Sequence, residues 1–145
     1  FNISNNIKII NSPHGHPGGA NSIRAEIDRF SVTYVTDCEH PSNHLNQNVI
    51  DISKNTDVLI HDAQYTPEQM RTHKGWGHSS WQHCVEVAKA ANVKKLVLFH
   101  HNPDHGNAIL NSIEKNAKSY FDNTYSAREG MELFIPEQVS EPLIS

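Results

Sequence analysis

Residues 75–105 read GWGHSSWQHCVEVAKAANVKKLVLFHHNPDH. Ser79 to Gln82 form an S-x-x-Q pattern, a helix-opening signature in which side chains satisfy the first free backbone N–H groups. Trp81, Val85, Ala88 and Ala91 then recur at helical spacing and make one apolar face. That helix stops near Asn92. KKLVLFH follows as a buried strand whose polar end is His100. A helix packed back onto a strand that ends in HHNPDH is half of an α/β crossover, with imidazoles at the strand end. Rigid sheets present their ligand-binding groups at such ends.

Working outward, DVLIHDA at 57–63 is a second buried strand, ending at His61-Asp62, and residues 45–54 suit a short helix before it. Further upstream, 21–27 alternates weakly, Asp28-Arg29 turns, and FSVTYVT runs to Asp37, giving a hairpin. IKIIN at 7–11 reads as a short strand. The Pro- and Gly-dense loop SPHGHPGG at 12–19 is unsuited to helix or regular strand. Downstream, Ile109, Ile113, Ala117 and Tyr120 predict a helix over 107–121, and GMELFI at 130–135 predicts a closing strand. Hairpin, then strand–helix–strand–helix–strand, predicts an α/β sheet with helices on one face. There are no internal repeats or linkers, and the tail after Pro136 reads as irregular.

With 145 residues and a net charge of −4, the chain suits one domain and lacks the basic surface of a general nucleic-acid binder. The longest apolar run, near 93–99, is too short to span a bilayer, which excludes a membrane helix. Two cysteines in different contexts disfavour a disulfide framework and point to a reducing, cytoplasmic setting. The start at Phe1 suggests a fragment or processed piece.

The eleven histidines are the compositional anomaly. Asp37 closes one strand in VTYVTDCEH and His100 closes another, while His16 lies in HGHPGG, where glycines permit close backbone approach. An imidazole, a carboxylate and a second imidazole from separate segments make a set suited to divalent metal. Each also has a plainer role, as a turn Asp, a core His or a loop His. His14 competes with His16. His78 precedes the helix start, where it can protonate a leaving group or simply stack on Trp76. Glu39 and Asp62 are candidates to orient ligand imidazoles, and His101 to touch substrate. His40, His44, His61, His73, His83 and His105 have no spacing that compels a role, and Cys84 belongs to the core.

The stretches HPGGANSIRAE, SVTYVTDCEH, DVLIHDAQYT, GWGHSSWQHCVEVAKAANVKKLVLFHHNPDH and AREGMEL together resemble the C-terminal portion of a metallo-β-lactamase-fold hydrolase of the ribonuclease Z and phosphodiesterase-like branch. The resemblance implies one half of an αββα sandwich over residues 1–136, with a mixed sheet, helices on one outer face and an irregular tail at 137–145. It implies two divalent cations, zinc foremost with manganese or iron as alternatives, held by His16, Asp37 as the bridging carboxylate, and His100. His78 in GHSS lines up with the family's His-Ser-Thr-like motif, a proton donor in phosphodiester cleavage, although Ser80 stands where threonine is usual. The family's H-x-H-x-D-H motif is absent from residues 1–145, so the cations are incompletely liganded by this chain.

These expectations make the complete protein a phosphodiesterase-type metallo-hydrolase that uses an activated hydroxide on a small phosphodiester, ester or short nucleic acid. The chain alone is expected to be inactive, and to pair with a missing N-terminal half or with itself as a homodimer. A lactone or thioester hydrolase and an inactive binding or regulatory module are the alternatives.

Overall fold

The computed structural model describes residues 7–134. Strands β1 (Ile7–His14), β2 (Ala20–Ile27) and β3 (Phe30–Val35) form an antiparallel meander. β4 (Val58–Asp62), β5 (Lys95–Phe99) and β6 (Thr124–Ser126) then add in parallel, so the six strands lie side by side in chain order. Helix α1 (Gln47–Ser53) joins β3 to β4. Helices α2 (Pro67–Met70) and α3 (Trp81–Ala90) join β4 to β5, and α4 (Asn107–Lys118) joins β5 to β6. Parallel crossovers between neighbouring strands, all running the same way and all right-handed, must put their helices on one face. The α/β reading with one-sided helices therefore holds, and the sheet is mixed.

The period-2 alternation of strands divides the side chains between the two faces. Val35, Leu59, Leu96 and Leu98 point to the helices and form one core with Val49, Cys84, Val87, Ala88, Ile113 and Ala117. Cys84 is thus core, as expected. On the opposite face, the registered row Ile23, Tyr34, Ile60, Val97 and Tyr125 runs across five strands. Among the described residues, no member of that row joins the helix-side core, although the Lys118 ammonium of α4 reaches over the Tyr125 ring at its end. Ile9, Ile23 and Tyr34 are 62%, 44% and 38% exposed, whereas Val97, near the centre of the sheet, is covered by its neighbours.

Several boundaries differ from the sequence reading. β1 continues through Pro13 to His14, against the expectation of a loop from residue 12. An edge strand tolerates proline because one side of its backbone has no partner to bond. The closing strand is Thr124–Ser126 and not 130–135. Gly130, with φ +72°, sits in a turn, residues 131–134 are irregular, and Ile135 lies outside the described residues, as does the tail at 137–145. The cap of α3 is Ser80, with His83 completing the capping box, rather than Ser79 with Gln82. Ser79 is already committed: its N–H donates to Asp62 and its hydroxyl to the Cys38 carbonyl.

Candidate functional site

Asp37 and His100 sit just beyond β3 and β5, parallel-register neighbours of β4, so the sheet delivers both to one end. Both have left-handed backbones, φ +52° and +56°, although neither is glycine. Such conformations carry strain and persist where the surrounding structure enforces them. His100 Nε2 lies 3.9 Å from Asp37 Oδ1. With a nitrogen of His78, these two residues bring donor atoms within 4.8 Å of one another, as a carboxylate and two imidazoles around a common point.

His78 stacks on His100 with ring centroids 4.9 Å apart. Its Nδ1–H donates to Asp62 Oδ2 at 2.7 Å, and the Asp62 carboxylate is fully buried at the end of β4. The same carboxylate accepts the backbone N–H groups of Cys38, Gln64 and Ser79. Asp62 therefore fixes the tautomer of His78, leaving Nε2 to face Asp37 and His100. The plainer alternative for His78, stacking on Trp76, does not occur: Trp76 packs instead on His73, with centroids 4.8 Å apart. Asp62 does orient an imidazole, but that of His78.

His16 is near but separate. Its ring centroid is 6.1 Å from that of His78, and its Nδ1 accepts the Gly18 N–H at 3.1 Å. Coordination through Nε2 needs the proton to move to Nδ1 and that contact to open. His14 does not compete for the role. It is buried, with Nδ1 accepting from the Ser22 hydroxyl and Nε2–H directed at the carbonyls of Thr36 and Asp37, so it braces the backbone beneath Asp37.

Glu39 takes a role that the sequence did not reveal. It orients no imidazole. Its carboxylate accepts the Gly75 and Gly77 N–H groups, each at 2.7 Å, while its own N–H donates to the Gly15 carbonyl at 2.8 Å. One residue thus ties the His16 loop, the Asp37 loop and the loop leading to His78. The approach is close enough to require glycine at two positions. A Cβ on Gly15 would meet the Glu39 carbonyl oxygen at 2.7 Å, and one on Gly77, where φ is +91°, would collide with the His16 ring. The signal in the sequence was the G-W-G run itself, whose glycines mark close approach.

His101, half-buried, lines an open groove with Phe99, His100, Ala127 and Arg128 beside the site. Burial lowers its pKa, and the nearby His105 and Arg128 act in the same direction. A second group, Cys38, His40 and His61, is fully enclosed under the site. Burial first, then the neighbouring His61, His83 and His14, push His40 down to about 2, and burial raises Cys38 to about 12. The Asn46 N–H donates to His40 Nδ1, so the neutral ring carries its proton on Nε2 and cannot ligate there. His61 Nδ1–H donates to the Asp62 carbonyl. This cluster is a neutral buried layer supporting Asp62. His83, whose spacing compelled no role, caps α3 and packs edge-on against His40.

A divalent cation fits the upper group. Asp37 offers a carboxylate able to bridge two ions, and His78 and His100 offer imidazole nitrogens, a donor set suited to borderline metals such as zinc. Among the described residues, no helix is long and apolar enough to cross a membrane.

Comparison with known proteins bears on the fold and the family. The family model described as "Beta-lactamase superfamily domain" matches residues 1–101. Ribonuclease Z of Archaeoglobus fulgidus is 39% identical over 88 residues, covering 58% of this chain and 27% of the relative. The metallo-beta-lactamase fold protein YhfI of Bacillus subtilis superposes with TM-score 0.71 at 22% identity, covering 86% of this chain and 47% of that one. The short form of human tRNase Z gives TM-score 0.68 at 18% identity, covering 92% and 45%. The chain therefore spans about a quarter to a third of its curated relatives' length and about half of these solved structures. By its fold and by the match over most of its length, the chain belongs to the beta-lactamase superfamily.

Proposed function

We propose that this chain carries the leaving-group side of a metal-dependent phosphodiester hydrolase. The observation that bears the reading is the Asp62–His78 pair: a buried carboxylate 2.7 Å from an imidazole whose other nitrogen faces the Asp37–His100 donor group. Asp37, His100 and, once its Nδ1 is protonated, His16 would hold the ions. The cations supply, when bound, Lewis-acid stabilisation of the phosphoryl oxygens and an activated water as nucleophile. Asp62 holds the His78 ring in one tautomer and offsets its positive charge when both nitrogens carry protons. His78 then delivers the Nε2 proton to the departing oxygen, which matters most when that oxygen is a poor leaving group. Nucleic-acid processing by the relatives named ribonuclease Z supports phosphodiesters over lactones or thioesters.

Zinc is the metal proposed, with manganese or iron as alternatives, and the remaining ligands come from outside the donor set described here. In its neutral form, with Nδ1–H on Asp62, His78 has Nε2 free to ligate instead, and a His78→Ala variant separates the two roles. Unchanged metal content with turnover lost on poor leaving groups supports the acid. Loss of one metal equivalent assigns His78 as a ligand and overturns the reading.

A further inference from the structure

Trp76 is the largest side chain on the loop between α2 and α3, and it is 61% exposed. Its backbone is nonetheless fixed on both sides. The Glu39 carboxylate accepts the N–H of the residue before it, Gly75, and of the residue after it, Gly77, at 2.7 Å each. Gly77 in turn is pressed against the His16 ring, which locates the loop at the rim of the donor group. The indole packs edge-on against His73, whose ring lies 4.6 Å from that of Tyr65, so the side chain is propped as well. A rigid, exposed indole loses little conformational entropy on binding, unlike a flexible side chain. Lys74, two residues earlier, is exposed and takes part in none of the ion pairs among the described residues. An exposed aromatic plane with an exposed cation two residues away on the same loop is a combination suited to a base and its backbone phosphate.

We propose that Trp76 is the stacking platform for the nucleobase next to the scissile phosphodiester, with Lys74 facing the flanking phosphate. This rests on the phosphodiester reading above and adds to it a subsite for an aromatic base. Glu39 acts on this subsite as a positioning residue, by holding the two amides that flank the indole.

The test is calorimetric binding of adenosine 5′-monophosphate and ribose 5-phosphate to the zinc-supplemented protein, with no turnover required. The two ligands share the sugar phosphate and differ by the base. In the parent protein the nucleotide should bind roughly five- to a hundredfold tighter, the worth of one base–aromatic stack. Trp76→Ala should reduce that ratio to about one, and Trp76→Phe should keep most of it. Nucleotide-dependent quenching of indole emission should also persist in Trp81→Phe, which leaves Trp76 as the sole tryptophan; this measurement stands even if Trp76→Ala fails to fold. A base preference unchanged in Trp76→Ala, or no quenching in Trp81→Phe, overturns the platform. Equal binding of both ligands to the parent protein overturns it while leaving the phosphodiester reading intact. Binding of neither overturns both.

Discussion

Asp62 and His78, sixteen residues apart, meet through a 2.7 Å hydrogen bond between a fully buried carboxylate and a ring nitrogen. Asp62→Asn should preserve metal content and reduce turnover, because a neutral amide does not offset the positive charge of the doubly protonated ring that delivers the Nε2 proton. The loss should approach that of His78→Ala, roughly a hundredfold or more by general-acid precedent, and should be greatest for unactivated phosphodiesters. Equal losses on good and poor leaving groups, measured on an aryl and an alkyl diester, would leave positioning as the explanation.

In the proposed metal centre Asp37 is the carboxylate that would serve two ions. Asp37→Ala should empty both metal positions, whereas His16→Ala or His100→Ala should weaken mainly one. Elemental analysis after gel filtration reads this directly, and full occupancy in the Asp37→Ala protein would refute the ligand assignment.

Gly77 has no room for a side chain. Gly77→Ala should cost about 1–3 kcal/mol from its left-handed backbone, and displacing His16 should also lower metal affinity. Gly130→Ala, also at positive φ but with open space around it, should show the backbone cost alone. If the two variants bind metal equally well, the His16 contact has no functional weight.

Stability should depend on pH through the buried imidazoles. Burial lowers His61 from its ordinary 6.5 to about 4, and His40 to about 2. Below 6.5 the unfolded chain takes up protons that these folded rings refuse, so stability is complete above that pH and falls as pH drops toward 4 and below. Urea denaturation at pH 7, 6 and 5 should show a steeper decline for the parent protein than for His61→Gln. Parallel curves would contradict the neutral buried assignment.

The uncovered sheet face should bind something. Fully burying each side chain of the size of Ile9, Ile23 or Tyr34 is worth about 1.5–3 kcal/mol, a sizeable amount against the few kcal/mol of net stability of a domain. The chain should therefore self-associate or pair with a further part of the superfamily fold through this face. Ile23→Lys combined with Tyr34→Glu should reduce association in light scattering. A monodisperse monomer of the parent chain would show that the face needs no partner.

The sequence by itself determined the elements that rest on local periodicity. The hairpin around Asp28-Arg29, the alternating strand before Asp37, the buried strand before His100 and the helices at 47–53, 81–90 and 107–118 were legible because their side-chain spacing repeats within a few residues. So were Asp37 and His100, since strand ends can be read from where the apolar run stops. Short features with little periodicity were misplaced or unread: the three-residue β6 and the Pro13 continuation of β1 owe their form to neighbours across the sheet, and the four-residue α2, capped locally by Thr66 and Gln69, is too short to show a period. Only the tertiary structure could decide what Asp62 and Glu39 do. Their partners lie sixteen and about thirty-seven residues away, and no spacing in the chain encodes contacts made across three loops. It likewise separated His14 from His16 and closed off the Cys38–His40–His61 layer, because burial and the direction of each ring's hydrogen bonds, not residue type, determine which nitrogen is free.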